Sequence, residues 1–301
     1  METPAQGAPV TGGTNGNGDS PGAVNRFLAA GILPRLAVTV VGVPCLYVIT
    51  LRGGVFFALL VAMVILLGLH EFYRMMRAKG YQPFALLGYF CALAMSGYAW
   101  RQGVAVPLIL TASLMAIMVR ELMRRDMSHS LVHIGVTLFG IMYVGWLGGH
   151  LVMLRELPAS QGADPLLGAH MVFYAALVTW ATDTGAYLAG VAFGRHPLLP
   201  RVSPKKTVEG AVGGLIGAAV VGWLCARGFA VFMTPLAGTL LGLVVGLAAQ
   251  LGDLVESLLK RDAGTKDTAE LIPGHGGILD RFDSLLFTVP VTYYYFRLFV
   301  I

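Results

Sequence analysis

The chain has 301 residues, of which 56% are hydrophobic and only 12% charged, with a net charge of +5. Soluble domains carry about 25% charged residues, so this chain lacks the polar surface to cover itself in water. That excludes an ordinary cytosolic enzyme, a nucleic-acid binder and a disordered chain, and leaves a polytopic membrane protein whose excess Lys and Arg report orientation and anionic-lipid contact.

Residues 1–25 are rich in Gly, Thr, Asn and Pro and read as a disordered tail. No basic n-region opens them, so they do not read as a secretory signal. Their deletion is expected to leave activity intact. Residues 26–301 read as one all-α transmembrane domain. Charge-poor stretches fall at 36–51, 53–70, 83–100, 103–119, 131–154, 166–192, 208–226, 230–252 and 284–301. Each is near the length of a helix that crosses a ~30 Å hydrocarbon core. Backbone polar groups in lipid must be satisfied internally, which favours helices. Nine spans are expected, with the N-terminus cytoplasmic. That arrangement puts 16 of the 21 Lys and Arg on the cytoplasmic side, as the positive-inside rule requires.

Cys45, Cys91 and Cys225 stand far apart in apolar runs and read as small buried hydrophobes. His129 and His133, at i and i+4, read as an interfacial or core pair rather than metal ligands.

Three pieces of the chain carry chemistry. Asp183 interrupts an apolar span, which marks a functional carboxylate or the partner of a buried cation. The following loop is basic, with Arg195, Arg201, Lys205 and Lys206, and Ser203-Pro204-Lys205-Lys206-Thr207 leads into a Gly-rich span. Hydroxyls, ammonium groups and a helix N-terminus together suit phosphate. A plain positive-inside loop against anionic lipid fits the same composition.

The second piece is the acidic segment. Seven of the 16 acidic residues lie between Asp253 and Asp283. If the eighth span continues as a helix, Asp253, Glu256, Ser257 and Lys260 share one face. Carboxylate and hydroxyl oxygens suit a hard cation such as Mg²⁺. Lys260, Arg261 and Lys266 suit phosphate oxygens. The third piece is Ile272-Pro-Gly-His275-Gly-Gly-Ile-Leu-Asp280-Arg281-Phe-Asp283, whose glycines free backbone N–H groups to face a ligand. Asp280 and Asp283 could complete a cation site with Asp253. Asp283 also fits a plain helix N-terminal carboxylate. There is no P-loop, no GxSxG elbow and no HExxH.

The segment SLLKRDAGTKDTAELIPGHGGILDRFDS, residues 257–284, resembles the signature of the phosphatidate cytidylyltransferase family, also called CDP-diglyceride synthases. DTGAY…FG…SPKKTxEG…GG is similar to a second motif of that family. The N-terminal half matches only in hydropathy and loosely in HEFYRMM. The resemblance implies a reaction of CTP with phosphatidic acid that gives CDP-diacylglycerol and pyrophosphate. It implies Asp253 and Asp280 as the main metal ligands, with Asp283 and Glu256 supporting them. It implies that Lys260 and Arg261 neutralise phosphates, with Lys266 and Asp267 nearby. Ser203, Lys205, Lys206 and Thr207 are assigned to nucleotide or lipid phosphate. Ser257, His275 and Arg281 are further substrate-binding candidates. The family also implies a monovalent cation such as K⁺ and a homodimer, while the positive-inside count, independently of the resemblance, puts both motif loops and so the Mg²⁺–phosphate site on the cytoplasmic face of the inner (plasma) membrane. A CTP-dependent polyprenol-type lipid kinase is the alternative enzyme, and an ion-coupled transporter is the non-enzyme alternative.

Overall fold

The computed structural model describes residues 33–101, 106–265 and 277–300. The expected tail and the segment with Lys266, Asp267 and His275 lie outside the described residues.

In chain order the helices are α1 (Leu33–Arg52), α2 (Gly54–Ala78), α3 (Ala85–Arg101), α4 (Val106–Leu122) and α5 (Ser130–Gly140). A π-helical segment, Ile141–Trp146, joins α5 to α6 (Leu147–Ser160). Then come α7 (Pro165–Phe193), strands β1 (Pro197–Leu199) and β2 (Ser203–Thr207), α8 (Val208–Gly228), α9 (Pro235–Asp262) and α10 (Leu279–Phe299). With α5, the π-segment and α6 taken as one rod, each apolar stretch of the sequence corresponds to one helical segment. Among the described residues, five segments are long and apolar enough to cross a membrane: α2, the α5–α6 rod, α7, α8 and α9.

The helix starts follow from local sequence. Asp164 and Thr234 cap α7 and α9, each followed by proline at the first helical position. Thr207 caps α8, its Oγ1 accepting from Gly210 N at 3.1 Å. Gly264, at φ 70°, ends α9, and Thr265 N–H bonds back to the Lys260 carbonyl at 3.0 Å.

The fold departs from expectation at two places. The basic loop after α7 is an antiparallel hairpin, with Pro197 paired to Thr207 and Leu199 to Ser203. Cys91 and Cys225 are buried as expected, but Cys45 is exposed on α1. Its helix presents this face outward, where an apolar thiol suits lipid.

Helices α7, α8 and α9 approach closely through small residues. A Cβ added at Gly185 would stand 2.7 Å from the Gly213 carbonyl oxygen, and one at Gly214 2.9 Å from that of Thr182. Membrane helices associate through such small-residue faces, because hydrophobic burial gives no preference over lipid. Gln250 Nε2 donates to the Ala211 carbonyl at 2.9 Å, and Thr179 Oγ1 donates to Thr288 Oγ1 at 3.0 Å, tying α9 to α8 and α10 to α7.

The N-terminal half is fastened by polar contacts. Buried Arg155 donates to the carbonyls of Thr50, Leu51 and Pro165, satisfying the orphan end of α1. Glu156 accepts from Gly54 N at 2.8 Å. His133 is buried beside Arg124 and Glu121, at 3.1 and 3.4 Å, as expected for a core histidine.

Candidate active site

The last three turns of α9 present Asp253, Glu256 and Lys260. These i, i+3 and i+7 positions lie on one face of an α-helix. Glu256 is 1% exposed, and its Oε2 stands 2.7 Å from Lys260 Nζ, an ionic contact without hydrogen-bond geometry. The same ammonium donates to Asp280 Oδ1 at 2.8 Å. Lys260 therefore bridges α9 to the first turn of α10, between two carboxylates.

Asp253 makes the second bridge. Its Oδ2 stands 2.5 Å from Lys206 Nζ on β2. The hairpin is further held by Arg261 Nε, 3.4 Å from the Val202 carbonyl, and by Glu209 on α8. Glu209 accepts from Arg195 N at 3.1 Å and His196 N at 3.2 Å, and contacts the His196 ring at 2.5 Å. Asp183 on α7 is exposed and lies within electrostatic reach of Asp283, Asp253 and Lys206.

The start of α10 has a clear physical cause. Its first N–H groups have no intrahelical acceptor. Glu71 of α2 supplies one, its two carboxylate oxygens accepting from Ile278 N and Leu279 N at 2.8 Å each. Glu71 is fully buried. Asp280 Oδ2 accepts from Gly277 N at 3.1 Å, and Asp283 Oδ1 from Ser284 N at 2.6 Å. The side chains of Asp280 and Asp283 are thus set by an anchor from the opposite half of the chain.

The structure brings together Asp183, Lys206, Asp253, Glu256, Lys260, Asp280 and Asp283. Ser203 and Lys205 lie on the same hairpin, half-buried and exposed respectively. Ser257 is half-buried on α9, Arg281 exposed on α10, and Arg261 exposed at the end of α9. Thr207 has a structural task, since its hydroxyl is the N-cap of α8. Lys266, Asp267 and His275 lie outside the described residues. Asp262, also in the acidic segment, pairs with Lys79 at 2.5 Å and so ties α9 to the end of α2.

Among the described residues, no three His, Cys, Asp or Glu side chains stand in metal-holding geometry. The donor set is nonetheless all oxygen, which suits a hard cation. Both carboxylate oxygens of Glu256 and the Lys206 ammonium are buried without hydrogen-bond partners among the described residues.

Residues 33–299, nearly the whole described chain, match the sequence profile of the cytidylyltransferase family. The chain belongs to this family. It is 36% identical to the phosphatidate cytidylyltransferase of Synechocystis sp. over 287 residues, covering 87% of this chain and 95% of the relative. The phosphatidate cytidylyltransferase of Bacillus subtilis is 39% identical over 166 residues, 55% of this chain and 59% of that protein. That of Staphylococcus aureus is 43% identical over 155 residues, 51% of this chain and 56% of that protein. Glu71 and Glu209 stand inside the motifs HEFYRMM and SPKKTxEG, but reading the sequence for chemistry gives neither of them a role. Glu71 carried a weak signal, a carboxylate at the end of an apolar run.

Proposed function

We propose that the chain transfers CMP from CTP to phosphatidic acid, giving CDP-diacylglycerol and pyrophosphate, at the site formed by α9, α10 and the hairpin. The observation that carries the reading is the double bridge, Lys206 to Asp253 and Lys260 to Glu256 and Asp280. It sets two ammonium groups in an all-oxygen cage within an otherwise apolar protein. The family and the named relatives support the substrates.

The reaction needs no protein nucleophile. An oxygen of the lipid phosphate attacks the α-phosphorus of CTP. A new P–O bond forms, the bond from the α-phosphorus to the α–β bridging oxygen breaks, and pyrophosphate leaves with that oxygen. The protein positions two polyanions and neutralises their charge. Lys260, Lys206, Lys205 and Arg261 are the cations for this task. Lys260 and Lys206 are held by carboxylates in advance, so little ordering cost remains when phosphates arrive. Asp253, Glu256, Asp280 and Asp283 would be the oxygen donors for Mg²⁺, which would supply charge neutralisation for the phosphates. K⁺ is a further proposed cation and a homodimer the proposed assembly; both rest on the family resemblance.

The membrane arrangement follows the same logic. Nine spans with a cytoplasmic N-terminus place Arg52, Arg101, Arg155, Arg227 and Arg297 near the outer ends of alternate helices. The hairpin and the α9–α10 junction then face the cytoplasm, where CTP is, in a plasma-membrane protein. Phosphatidic acid reaches the site sideways from the bilayer.

The deciding experiment uses purified protein with phosphatidic acid, Mg²⁺ and CTP labelled separately at cytidine and at the γ-phosphate. Cytidine label is expected in the lipid, with the γ label released as pyrophosphate. Entry of the γ label into lipid would make the protein a kinase and overturn the reading.

A further inference from the structure

The π-segment Ile141–Trp146 interrupts a rod that otherwise runs as α-helix from Ser130 to Ser160. Such insertions are rare and recur at functional sites. Here the insertion carries Tyr143. The residue is 4% exposed, and its hydroxyl is buried with no hydrogen-bond partner among the described residues. Buried tyrosine hydroxyls usually find one.

The ring is fixed by its neighbours. It stacks on Phe139 at 5.3 Å and meets Phe72, the residue after Glu71, edge-on at 6.5 Å. The segment beneath it is tightly seated, since a Cβ at Gly145 would stand 2.8 Å from Ala92 Cβ. The next residue, Val144, meets the start of α10 over Gly68, where an added Cβ would stand 3.3 Å from Val144 Cγ1 and 3.9 Å from Leu279 Cδ1, and the hydroxyl lies within electrostatic reach of Glu256, Asp283 and Asp253, three carboxylates of the proposed catalytic site. A preset donor thus sits beside the site with no acceptor among the described residues.

We propose that the Tyr143 hydroxyl donates a hydrogen bond to the phosphate of the lipid substrate. The inference rests on the reading of the acidic cluster as the site of cytidylyl transfer. The lipid is favoured over the nucleotide by depth. Tyr143 lies thirteen residues into its rod, about 20 Å from its start at 1.5 Å per residue. Lys205 and Arg261 lie on the hairpin and at the end of α9, toward the aqueous side from which CTP arrives. A hydroxyl inside the bundle meets the substrate that arrives through the bilayer.

The test is Tyr143→Phe in the full-length protein in detergent. The ring packing is kept and only the hydroxyl is lost. A hydrogen bond to a charged group is worth about 1.5–3 kcal/mol, so kcat/KM for phosphatidic acid is expected to fall about 10- to 100-fold. KM for CTP is expected to stay within about twofold, and the melting temperature to hold or rise, because an unpartnered buried hydroxyl is removed. Equilibrium binding of phosphatidic acid, read without turnover, is expected to weaken while binding of diacylglycerol does not. Unchanged kinetics and binding would overturn the proposal, as would a loss confined to CTP or a drop in stability that accounts for the whole effect. Wild-type protein that binds phosphatidic acid but forms no cytidylated lipid would instead sink the proposed reaction, and the binding comparison would still decide the role of Tyr143.

Discussion

Glu71 and Leu279 are joined across 208 positions of the chain by a 2.8 Å hydrogen bond from a backbone N–H to a buried carboxylate. The other oxygen of the same carboxylate holds Ile278. One side chain near the end of α2 therefore determines where α10 begins, and with it where Asp280 and Asp283 stand. Glu71→Ala leaves two backbone donors buried and unsatisfied, a cost of about 1–3 kcal/mol each. Both melting temperature and kcat should fall. Glu71→Gln keeps an acceptor for one donor and should lie between Ala and wild type in both measurements.

Asp253→Asn and Asp280→Asn should each reduce turnover by at least about 100-fold while leaving folded protein in the membrane. The substitutions keep shape and remove the charge that orders a lysine and that, in the proposed reaction, would hold a cation. Chelation of divalent cations should stop turnover of the wild-type protein without unfolding it. Near wild-type rates for either variant, read by transfer of cytidine label to lipid, would remove the metal assignment.

Lys260 neutralises a glutamate that is 1% exposed. Removing one partner of a buried pair leaves an uncompensated charge and costs about 3–5 kcal/mol. Lys260→Ala should therefore melt well below wild type. Adding Glu256→Gln removes the stranded charge and should recover much of the stability but none of the activity. Thermal unfolding and label transfer, measured on the same preparations, separate the two roles.

Gly185→Ala should destabilise the protein and lower activity, because the added methyl would press on the Gly213 carbonyl at 2.7 Å, a backbone atom that cannot swing away. Gly135→Ala is the control. Nothing lies within 4 Å of its added Cβ, so it should be neutral or stabilise by up to about 1 kcal/mol, the helix advantage of Ala over Gly. Melting temperatures of the two variants check the contrast.

The helices were legible because apolar runs and helix rise are local facts. The face shared by Asp253, Glu256 and Lys260 was legible for the same reason, since helical spacing alone brings i and i+4 together. The partners across helices were not. Nothing in the order of residues says that Lys206 meets Asp253, or that Glu71 reaches the start of α10, because such pairings depend on how rods pack. The hairpin escaped because its strands are short and carry Ser, Pro and Lys where a strand pattern alternates apolar residues. Thr207 carried two valid readings, helix cap and phosphate ligand, and the structure shows the cap. The π-segment left no trace in the apolar pattern, and so Tyr143 went unnoticed.

The glycine-lined contacts among α7, α8 and α9 have a consequence for life in a changing bilayer. Helices that meet backbone to backbone cannot slide or splay to match lipid of a different thickness. The outer helices, which present long flexible side chains such as Leu59, Met63, Phe90 and Met115 outward, can tilt and conform at modest cost. Adaptation to the membrane is therefore left to the rim, and the distance between the two lysine bridges stays constant whatever lipid the enzyme's own product helps to build.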